Sequence, residues 1–323
     1  MTRFLILGGG GMVGQKLAHR LAKQDKAAAD ITLFDMGFPT ASAPGHQVTG
    51  DLTDQKILKS LVAQRFDVIF HLAAIVSGEA EKEFDKGWAV NMMSMWHLLE
   101  ALREEHMNSG QTYVPRIVFT SSIAVFGGPY PELIEDTFLS APQTSYGAQK
   151  ATCELMLSDF SRKGFVDGLS LRLPTICVRP GKPNLAASSF FSGIIREPLN
   201  GQQAILPVDD TVRHWHASPR SAARFLTHAA SLNTTLLEGR RALNLPGYSC
   251  TVAEQIEALR RVAGQKAVDL IIPKPDEDIM KMVAGWPRNF QPERATQLGF
   301  KSECSFDEII QTYIEDDLAS SAL

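Results

Sequence analysis

Two side chains with complementary acid–base chemistry stand four residues apart in this 323-residue chain. Tyr146 and Lys150 have the spacing that places two side chains on one face of an α-helix. A tyrosine hydroxyl, with a pKa of about 10 in water, is a poor base at neutral pH. A neighbouring ammonium favours the phenolate and lowers that pKa. The pair therefore predicts proton transfer at a substrate hydroxyl, with Tyr146 as the general base.

A short run of hydroxyl side chains ends the apolar segment Arg116–Thr120. Ser122 lies 24 residues before Tyr146 (146 − 122), and Ser121 directly precedes it. A hydroxyl at the end of a strand can donate a hydrogen bond to the oxygen on which Tyr146 acts. The spacing leaves open which serine does so, and packing at the strand end is the alternative for both.

A glycine-rich loop follows the first apolar run, Phe4–Leu7, and opens a helix-patterned segment. Its glycines fit two registers, Gly8-x-x-Gly11-x-x-Gly14 and Gly9-x-Gly11-x-x-Gly14. In either register, residues without side chains let the backbone approach a pyrophosphate, whose charge then faces the helix N-terminus. The loop predicts dinucleotide contacts from Gly8, Gly11, Met12, Val13 and Gly14.

The expected cofactor is NAD because of one carboxylate at the end of the second apolar run, Ile31–Phe34. Asp35 lies 21 residues beyond Gly14 (35 − 14), where a carboxylate accepts hydrogen bonds from the adenosine ribose hydroxyls. It would repel the 2′-phosphate of NADP, and no Arg or Lys occurs within Met36–Thr40 to attract one. A capping or turn aspartate is the alternative.

Further cofactor contacts are expected after the third and fourth strands. Asp51 and Leu52 could contact adenine, although Gly50-Asp51 is also ordinary turn chemistry. Small residues after His71 can lie against the cofactor, whereas His71 itself is interpreted as a packed strand histidine. The residues expected at the cofactor here are Leu72, Ala73 and Ala74.

Alternating apolar runs and helix-patterned segments must position these groups. Runs typical of buried strands are Phe4–Leu7, Ile31–Phe34, Val68–Phe70, Arg116–Thr120 and Leu169–Leu173, and helical segments include Met12–Lys23, Trp88–Met107 and Tyr146–Arg162. This alternation predicts an α/β fold, a Rossmann-type doubly wound parallel sheet. We expect an NAD-binding domain over 1–175, to which some later elements return, and a smaller substrate-binding cap over 176–323, with helices near Ser218–Ala230, Thr251–Ala263 and Phe306–Asp316.

Composition and charge exclude several classes of protein. The net charge is −4 and the sequence pI about 6.1, which gives no general attraction for nucleic acid or anionic membrane. Four dispersed cysteines form no CxxC pair, a usage typical of a reducing compartment. No apolar run approaches the roughly 20 residues that span a bilayer. We expect a cytoplasmic protein.

Three motifs in order carry a family resemblance. The glycine loop, Ser121-Ser-x-x-Val-Phe-Gly127 and Tyr146-x-x-x-Lys150 are similar to the extended short-chain dehydrogenase/reductase superfamily, which includes the sugar-nucleotide epimerases. By that resemblance Ser122 is the catalytic serine, Lys150 binds the nicotinamide ribose, and paired helices form a homodimer. It also implies that Pro174, Thr175 and Ile176, with Leu173, line the cofactor.

Other segments narrow the resemblance to one reaction. Dehydratases of the superfamily have Thr-Asp-Glu where this chain has Ser122-Ile-Ala, and Arg213–Arg220 departs from the epimerase pattern Arg-Asp-Phe-Ile-His-Val. Val76–Ala80, Arg172–Asn184 and Ser188–Pro198 most resemble members that oxidise the C2 hydroxyl of a four-carbon sugar acid. The resemblance implies NAD-dependent oxidation of D-erythronate to the 2-oxo acid.

A small hydroxy acid needs a cationic fork for its carboxylate and polar partners for its hydroxyls. Arg213 could supply the fork, while Ser77, Ser122 and Asn184 reach hydroxyls. Ser77 could equally touch the nicotinamide ribose, and a surface position in a polar cap is the alternative for Arg213. No metal is expected, since His214 and His216 lack further ligands at evident spacing.

Three other functions stay open at this point. A nucleoside-diphosphate-sugar 4-epimerase would retain its NAD through a full cycle. A dehydrogenase of a hydroxy amino acid such as threonine would use the same catalytic residues. A non-catalytic NAD-sensing protein could reuse the fold, although the intact Ser122, Tyr146 and Lys150 argue against it.

Overall fold

A computed structural model describes residues 1–24, 30–181 and 188–318, so that Asn184 lies outside the described residues. The strands, in chain order, are β1 (Arg3–Leu7), β2 (Asp30–Asp35), β3 (His46–Thr49), β4 (Val68–His71), β5 (Arg116–Ser122), β6 (Ile134–Glu135), β7 (Asp167–Leu173), β8 (Thr175–Ile176), β9 (Ala204–Leu206), β10 (Arg213–Ala217), β11 (Ala242–Asn244), β12 (Tyr248–Thr251), β13 (Ile271–Pro273) and β14 (Phe290–Gln291).

The α-helices are α1 (Met12–Gln24), α2 (Gln55–Val62), α3 (Ser77–Lys82), α4 (Phe84–Gly87), α5 (Ser94–Asn108), α6 (Ser145–Arg162), α7 (Ser189–Leu199), α8 (Pro219–Ser231), α9 (Val252–Ala263), α10 (Gln265–Val268), α11 (Glu277–Ala284), α12 (Glu293–Gln297) and α13 (Phe306–Tyr313). Short 3₁₀ turns cover Ile123–Val125 and Thr234–Leu237, and π-helical turns cover Trp88–Met93 and Ile314–Leu318.

The chain forms two compact units, each assembled from separate segments. The first unit comprises Met1–Val125, Pro142–Leu173 and Ala223–Asn244. The second comprises Phe126–Ala141, Pro174–Ala222 and Leu245–Leu323.

The first unit contains a seven-stranded sheet in the order β11-β7-β5-β4-β1-β2-β3, within the described residues. Every neighbouring pair in it is parallel. Chain order reverses between β1 and β4, which is the topological switch point where doubly wound sheets bind ligands. The predicted Rossmann-type α/β fold is confirmed, and each apolar run expected to be a strand is one.

The core of the first unit explains why these runs form strands. Buried side chains of β1, β4 and β5 pack with those of helices α2, α5 and α6, among them Leu5, Ile69, Phe119, Leu98 and Leu157. Strands in the middle of a parallel sheet are covered on both faces, so their sequences are continuously apolar rather than alternating.

The helix predicted over Trp88–Met107 is divided in the structure. Its first part, Trp88–Met93, is a π-helical turn, and α5 begins only at Ser94. The buried Asn91 lies in this turn and hydrogen-bonds outside the helix. Apolar periodicity alone does not distinguish a π turn from the α-helix that follows it.

The second unit has small sheets and its own core. Strand β10 lies between β12 and β8, β13 pairs with β9, and β14 pairs with β6. Helices α7, α9 and α13 contribute buried residues, including Phe191, Leu259 and Ile309. Among the described helices, none is long and apolar enough to cross a membrane.

Candidate active site

The glycine loop after β1 has both tightly enclosed and open positions. Gly8 has a φ of +91°, and a Cβ there would lie 2.6 Å from the Ala73 nitrogen. A Cβ on Gly14 would lie 2.3 Å from the Gly8 carbonyl oxygen. At Gly11 the nearest atom would be that same oxygen at 3.5 Å, an ordinary contact. The fold itself requires Gly8 and Gly14, whereas the loop stays open at Gly11, as a pyrophosphate cradle needs.

Asp35 ends β2 beside this loop. Its carboxylate accepts hydrogen bonds from the Gly10 nitrogen at 2.9 Å and the Met36 nitrogen at 2.7 Å. The acidic group thus sits next to the cradle, where the expected contact with an adenosine ribose requires it. The turn role considered from the sequence is also present, because both partners are backbone N–H groups of neighbouring loops.

The loop after β3 holds the two residues expected at adenine, Asp51 and Leu52, in different surroundings. Asp51 accepts hydrogen bonds from the Thr53 nitrogen and hydroxyl, both at 2.8 Å, which is turn chemistry. Leu52 is buried in the first unit's core. The Gly50 nitrogen donates to the Asp35 carbonyl at 3.0 Å and so ties this loop to the end of β2.

Gln15 contributes to the glycine loop, and sequence reasoning missed it. Its side-chain nitrogen donates to the Gly9 carbonyl at 2.6 Å, and its oxygen accepts from the Ala43 nitrogen at 2.6 Å. It therefore joins the glycine loop to the segment between β2 and β3. Its place directly after Gly14 was the available signal.

The segment after β4 lies across the switch point. The nitrogens of Leu72 and Ala73 both donate to the Leu7 carbonyl, at 2.8 and 2.9 Å, and Ser77 begins α3. The backbone of Leu72 and Ala73 lies directly against Gly8, where a Cβ would meet both residues, and Ala74 follows them in the chain.

Asn91 holds that segment against α6, and sequence reasoning missed it as well. Its side-chain oxygen accepts from the Ile75 nitrogen at 2.8 Å, and its nitrogen donates to Gln149 at 2.8 Å. A lone amide within an otherwise apolar helical pattern was the signal that could have revealed it.

The expected catalytic residues converge at the start of α6. Thr144 caps this helix by accepting a hydrogen bond from the Gly147 nitrogen at 3.1 Å. A Cβ on Gly147 would lie 2.1 Å from the Ala124 carbonyl oxygen, so only glycine lets the helix approach the chain this closely. This brings half-buried Tyr146 to the segment that follows Ser122. The Ser122 hydroxyl accepts from the Ala124 nitrogen at 3.1 Å.

Lys150 is 2% exposed, one turn along the helix from Tyr146. Its ammonium donates to the Thr120 carbonyl at 2.8 Å and lies 4.7 Å from the centre of the Phe119 ring. The centre of the Tyr146 ring is 5.6 Å from the same nitrogen. Burial lowers the pKa of Lys150 to about 8.

His71 is fully buried at the end of β4. Burial, aided by the charge of Lys150, lowers the pKa of His71 to about 3, so the imidazole is neutral at pH 7. Its ring packs edge-on against Phe119, with centroids 5.7 Å apart. Its ring nitrogens have no hydrogen-bond partner among the described residues. These contacts agree with a packed strand histidine.

The two serines have different surroundings. Ser121 is buried and donates its hydroxyl to the carboxylate of Glu154. Glu154 in turn forms a two-pronged ion pair with Arg172. Ser122 is half-buried, and Ala124 is its hydrogen-bond partner in the part of the chain that the structure describes.

The remaining expected residues lie in the second unit. Thr175 and Ile176 form β8, and the Thr175 hydroxyl lies 2.7 Å from Nε2 of His214. Arg213 begins β10, where its guanidinium lies 3.1 Å from Glu254 and donates to the Ser249 carbonyl at 3.1 Å. The guanidinium of Arg213, which was expected to bind a substrate carboxylate, is thus already paired with Glu254. The Arg213 side chain is 37% exposed.

Both histidines of β10 are buried in the second unit's core. Burial lowers the pKa of His214 to about 3 and that of His216 well below its usual value. Both rings contact Phe191. Among the described residues, no group of three or more His, Cys, Asp or Glu side chains could hold a metal ion.

Comparisons with known proteins identify a family and several relatives. A model of the NAD dependent epimerase/dehydratase family matches residues 4–233. A D-erythronate dehydrogenase of Cupriavidus necator is 47% identical over 97% of this chain and 98% of its own length. One of Haemophilus influenzae is 41% identical over 98% of this chain and 100% of its length. A solved structure described as a nucleoside-diphosphate-sugar epimerase from Agrobacterium tumefaciens has 54% identity and a TM-score of 0.94, covering 98% of this chain and 95% of that one.

The loop geometry predicts that two glycine-to-alanine changes affect different properties, one NAD binding and the other stability. Gly11→Ala should fold normally but weaken NAD binding roughly tenfold or more, since its Cβ would occupy the pyrophosphate cradle. Gly14→Ala should lose on the order of 3 kcal/mol of stability, because its Cβ meets backbone. Calorimetric titration with NAD and thermal unfolding of both variants check this. Equal NAD affinity in Gly11→Ala and wild type would contradict the cradle.

Proposed function

The chain belongs to the NAD dependent epimerase/dehydratase family, and within that family we propose that it oxidises D-erythronate at the C2 hydroxyl to the 2-oxo acid. The observation that carries the chemistry is the joint placement of Tyr146 and Lys150 on one face of α6, beside the strand that ends at Ser122. Near full-length similarity to two D-erythronate dehydrogenases supports the substrate.

The first unit offers the groups that would hold NAD. The glycine loop would receive the pyrophosphate and Asp35 the adenosine ribose, with Leu72, Ala73 and Ala74 lying along the cofactor. Ser77 and Lys150 are proposed for the nicotinamide ribose, and Pro174, Thr175 and Ile176 for the nicotinamide. Bound NAD supplies the acceptor for the hydride that leaves C2.

Tyr146 acts on the substrate hydroxyl. Its phenolate oxygen takes the proton of the C2 hydroxyl, while the Ser122 hydroxyl donates a hydrogen bond to the same C2 oxygen. The ammonium of Lys150 stabilises the phenolate electrostatically. With a pKa of about 8, Lys150 is mostly protonated at neutral pH, as this role requires.

Ser122 is proposed for this role because the hydroxyl of Ser121 has another partner. Ser121 is buried and bonded to Glu154, so its proton is directed away from any substrate. The hydroxyl of Ser122 accepts from Ala124 and keeps its own proton available to a ligand oxygen.

The substrate is tested by measuring NADH formation with D-erythronate, L-threonine and UDP-glucose. We expect D-erythronate to be oxidised with the highest kcat/KM and one NADH to form per 2-oxo acid. The epimerase alternative is kept because the 54% identical solved structure is described as a nucleoside-diphosphate-sugar epimerase. Interconversion of UDP-sugars without net NADH formation, or preference for threonine, would contradict the proposal.

Arg213 is proposed for the substrate carboxylate, in exchange for its pairing with Glu254. Arg213→Ala should raise KM for D-erythronate at least tenfold, about 1.4 kcal/mol, with NAD binding unchanged. Arg213→Lys keeps the charge but loses the planar fork, so it should also raise KM. Glu254→Gln is the control, because it removes the competing carboxylate and should leave or lower KM. Unaltered KM in Arg213→Ala would exclude this residue, and Arg179 or Lys182, which lies outside the described residues, would be tested next.

The catalytic assignment is tested with three matched variants. Tyr146→Phe should lower kcat about 10²- to 10⁴-fold with nearly unchanged NAD affinity, because only the phenolic oxygen is lost. Ser122→Ala should also lower kcat, whereas Ser121→Ala should act mainly on thermal stability. Near-normal kcat in Tyr146→Phe would remove it from the mechanism, and a larger kcat loss for Ser121→Ala than for Ser122→Ala would reverse the serine assignment.

We also propose that the protein is a homodimer formed through α5 and α6. Trp96 on α5 is 38% exposed and Leu155 on α6 is 75% exposed, so each of these helices presents a large apolar side chain that a second copy of the chain would cover. Met95 on α5 is fully buried in the core and does not belong to this exposed face. Light scattering should give twice 35.5 kDa for the wild type and a monomer for Leu155→Glu. A monomeric wild type at micromolar concentration would reject the dimer.

A further inference from the structure

Helix α6 carries a third polar side chain on the face of Tyr146 and Lys150. Glu154 follows Lys150 by four residues and is 6% exposed. A carboxylate buried to this degree needs compensation, and Glu154 has it from two partners. Arg172 approaches it in a fork, with Nε at 2.9 Å from Oε1 and Nη2 at 2.7 Å from Oε2, and the Ser121 hydroxyl donates to Oε1.

These partners belong to a single row across the sheet. Ser121 on β5 stands opposite Arg172 on β7, which stands opposite Asn244 on β11. Nη1 of Arg172 also lies 3.3 Å from the side-chain oxygen of Asn244. Glu154 therefore attaches α6 to the strand residue directly before Ser122. One carboxylate fixes both the helix of Tyr146 and Lys150 and the strand that ends at Ser122.

We propose that Glu154 is a positioning residue for the Tyr146–Lys150 pair, holding α6 on the sheet and supplying the negative charge that keeps the buried ammonium protonated. This inference rests on the proposed function, because it takes Tyr146 and Lys150 as the catalytic pair.

The charges around Lys150 support this role. Burial lowers its pKa, while Cys153 and Glu154 act in the opposite direction. Burial raises the pKa of Cys153 to about 12, so this thiol is neutral at neutral pH and Glu154 remains as the negative charge. His71 on β4 is neutral as well.

The other elements packed against α6 add few titratable groups near its beginning. Glu81 on α3 accepts a hydrogen bond from the Ser145 nitrogen at 3.0 Å, at the start of the helix. Arg172 on β7 is bound to the Glu154 carboxylate itself. Burial thus opposes the charge of Lys150, and Glu154, which Arg172 holds in place, is the carboxylate that favours it.

Glu154→Gln and Arg172→Gln should shift the pKa of Lys150 in opposite directions. Glu154→Gln leaves Arg172 and Lys150 as cations without the carboxylate, so Lys150 loses its proton at lower pH. Arg172→Gln leaves the carboxylate uncompensated, so Lys150 keeps its proton to higher pH. A purely structural role would lower activity in both variants without these opposite shifts.

The first measurement is the pH profile of kcat with saturating NAD and D-erythronate. The alkaline limb, where Lys150 loses its charge, should move down by about one pH unit in Glu154→Gln and up in Arg172→Gln. Glu154→Asp keeps the charge with a shorter reach and should retain the wild-type limb at reduced kcat. It also keeps the test decisive if Glu154→Gln does not fold.

Asp167→Asn is the matched control on the same strand. Asp167 begins β7 and is bound by Arg116 and Arg241, each at 2.8 Å, at the opposite end from Arg172. Its loss should lower thermal stability without shifting the pH profile.

A second measurement does not depend on any substrate. The ionisation of Tyr146 is followed by ultraviolet absorbance in the NAD-bound protein, as the difference from Tyr146→Phe in each background. Its midpoint should fall in Glu154→Gln and rise in Arg172→Gln. If these shifts occur while D-erythronate is not oxidised, the proposed substrate fails and the role of Glu154 stands. Coincident midpoints and coincident alkaline limbs in both variants and wild type would overturn the role of Glu154.

Discussion

The ammonium of Lys150 must be buried and still keep its charge, and much of the first unit is arranged around that constraint. Burying a cation opposes its protonation, so neighbouring groups must favour the charged form. The ammonium donates a hydrogen bond to the Thr120 carbonyl, and the centre of the Phe119 ring lies 4.7 Å away. These partners come from β5, so strand and helix must keep a fixed relation for the charge to persist. Gly147 permits that relation, because any side chain there would meet the Ala124 carbonyl.

The glycine loop of the first unit obeys a steric constraint instead. The loops after β1 and β4 meet where the strand order reverses. Gly8 lies so close to Ala73 that a side chain at Gly8 would collide with the backbone of Ala73. Hydrogen bonds from Leu72 and Ala73 to Leu7 fix this approach. The electrostatic site on α6 and the steric site at the switch point both rest on the carboxyl edge of one sheet. A dehydrogenase needs this proximity, because proton and hydride leave neighbouring atoms of the substrate.

Local patterns in the sequence predicted the parts of the site whose geometry is local. The four-residue spacing of Tyr146 and Lys150 and the strand–glycine–helix order need only the nearby chain, and the structure has both. The ion pair of Glu154 with Arg172 depends on which strands become neighbours and in what register, which no local pattern contains. The same holds for Asn91 with Gln149. Arg213 was anticipated as an available cation, but the antiparallel register of β10 and β12 sets it opposite Thr251, which caps α9, and Glu254 lies in the first turn of that helix.

The order of the chain through the two units has a consequence for how the protein is made. Strand β11, Ala242–Asn244, completes the sheet edge beside β7, yet the ribosome delivers it about seventy residues after Leu173. Until then, a nascent chain has synthesised β7 but presents its outer backbone groups unpaired, and an unpaired edge invites association with other chains. Asn244 on β11, whose side chain lies beside Arg172, is synthesised equally late. A gene fragment that stops at residue 173 would therefore encode the glycine loop without a finished sheet. During translation, folding of the first unit can be completed only after residue 244 has left the exit tunnel of the ribosome.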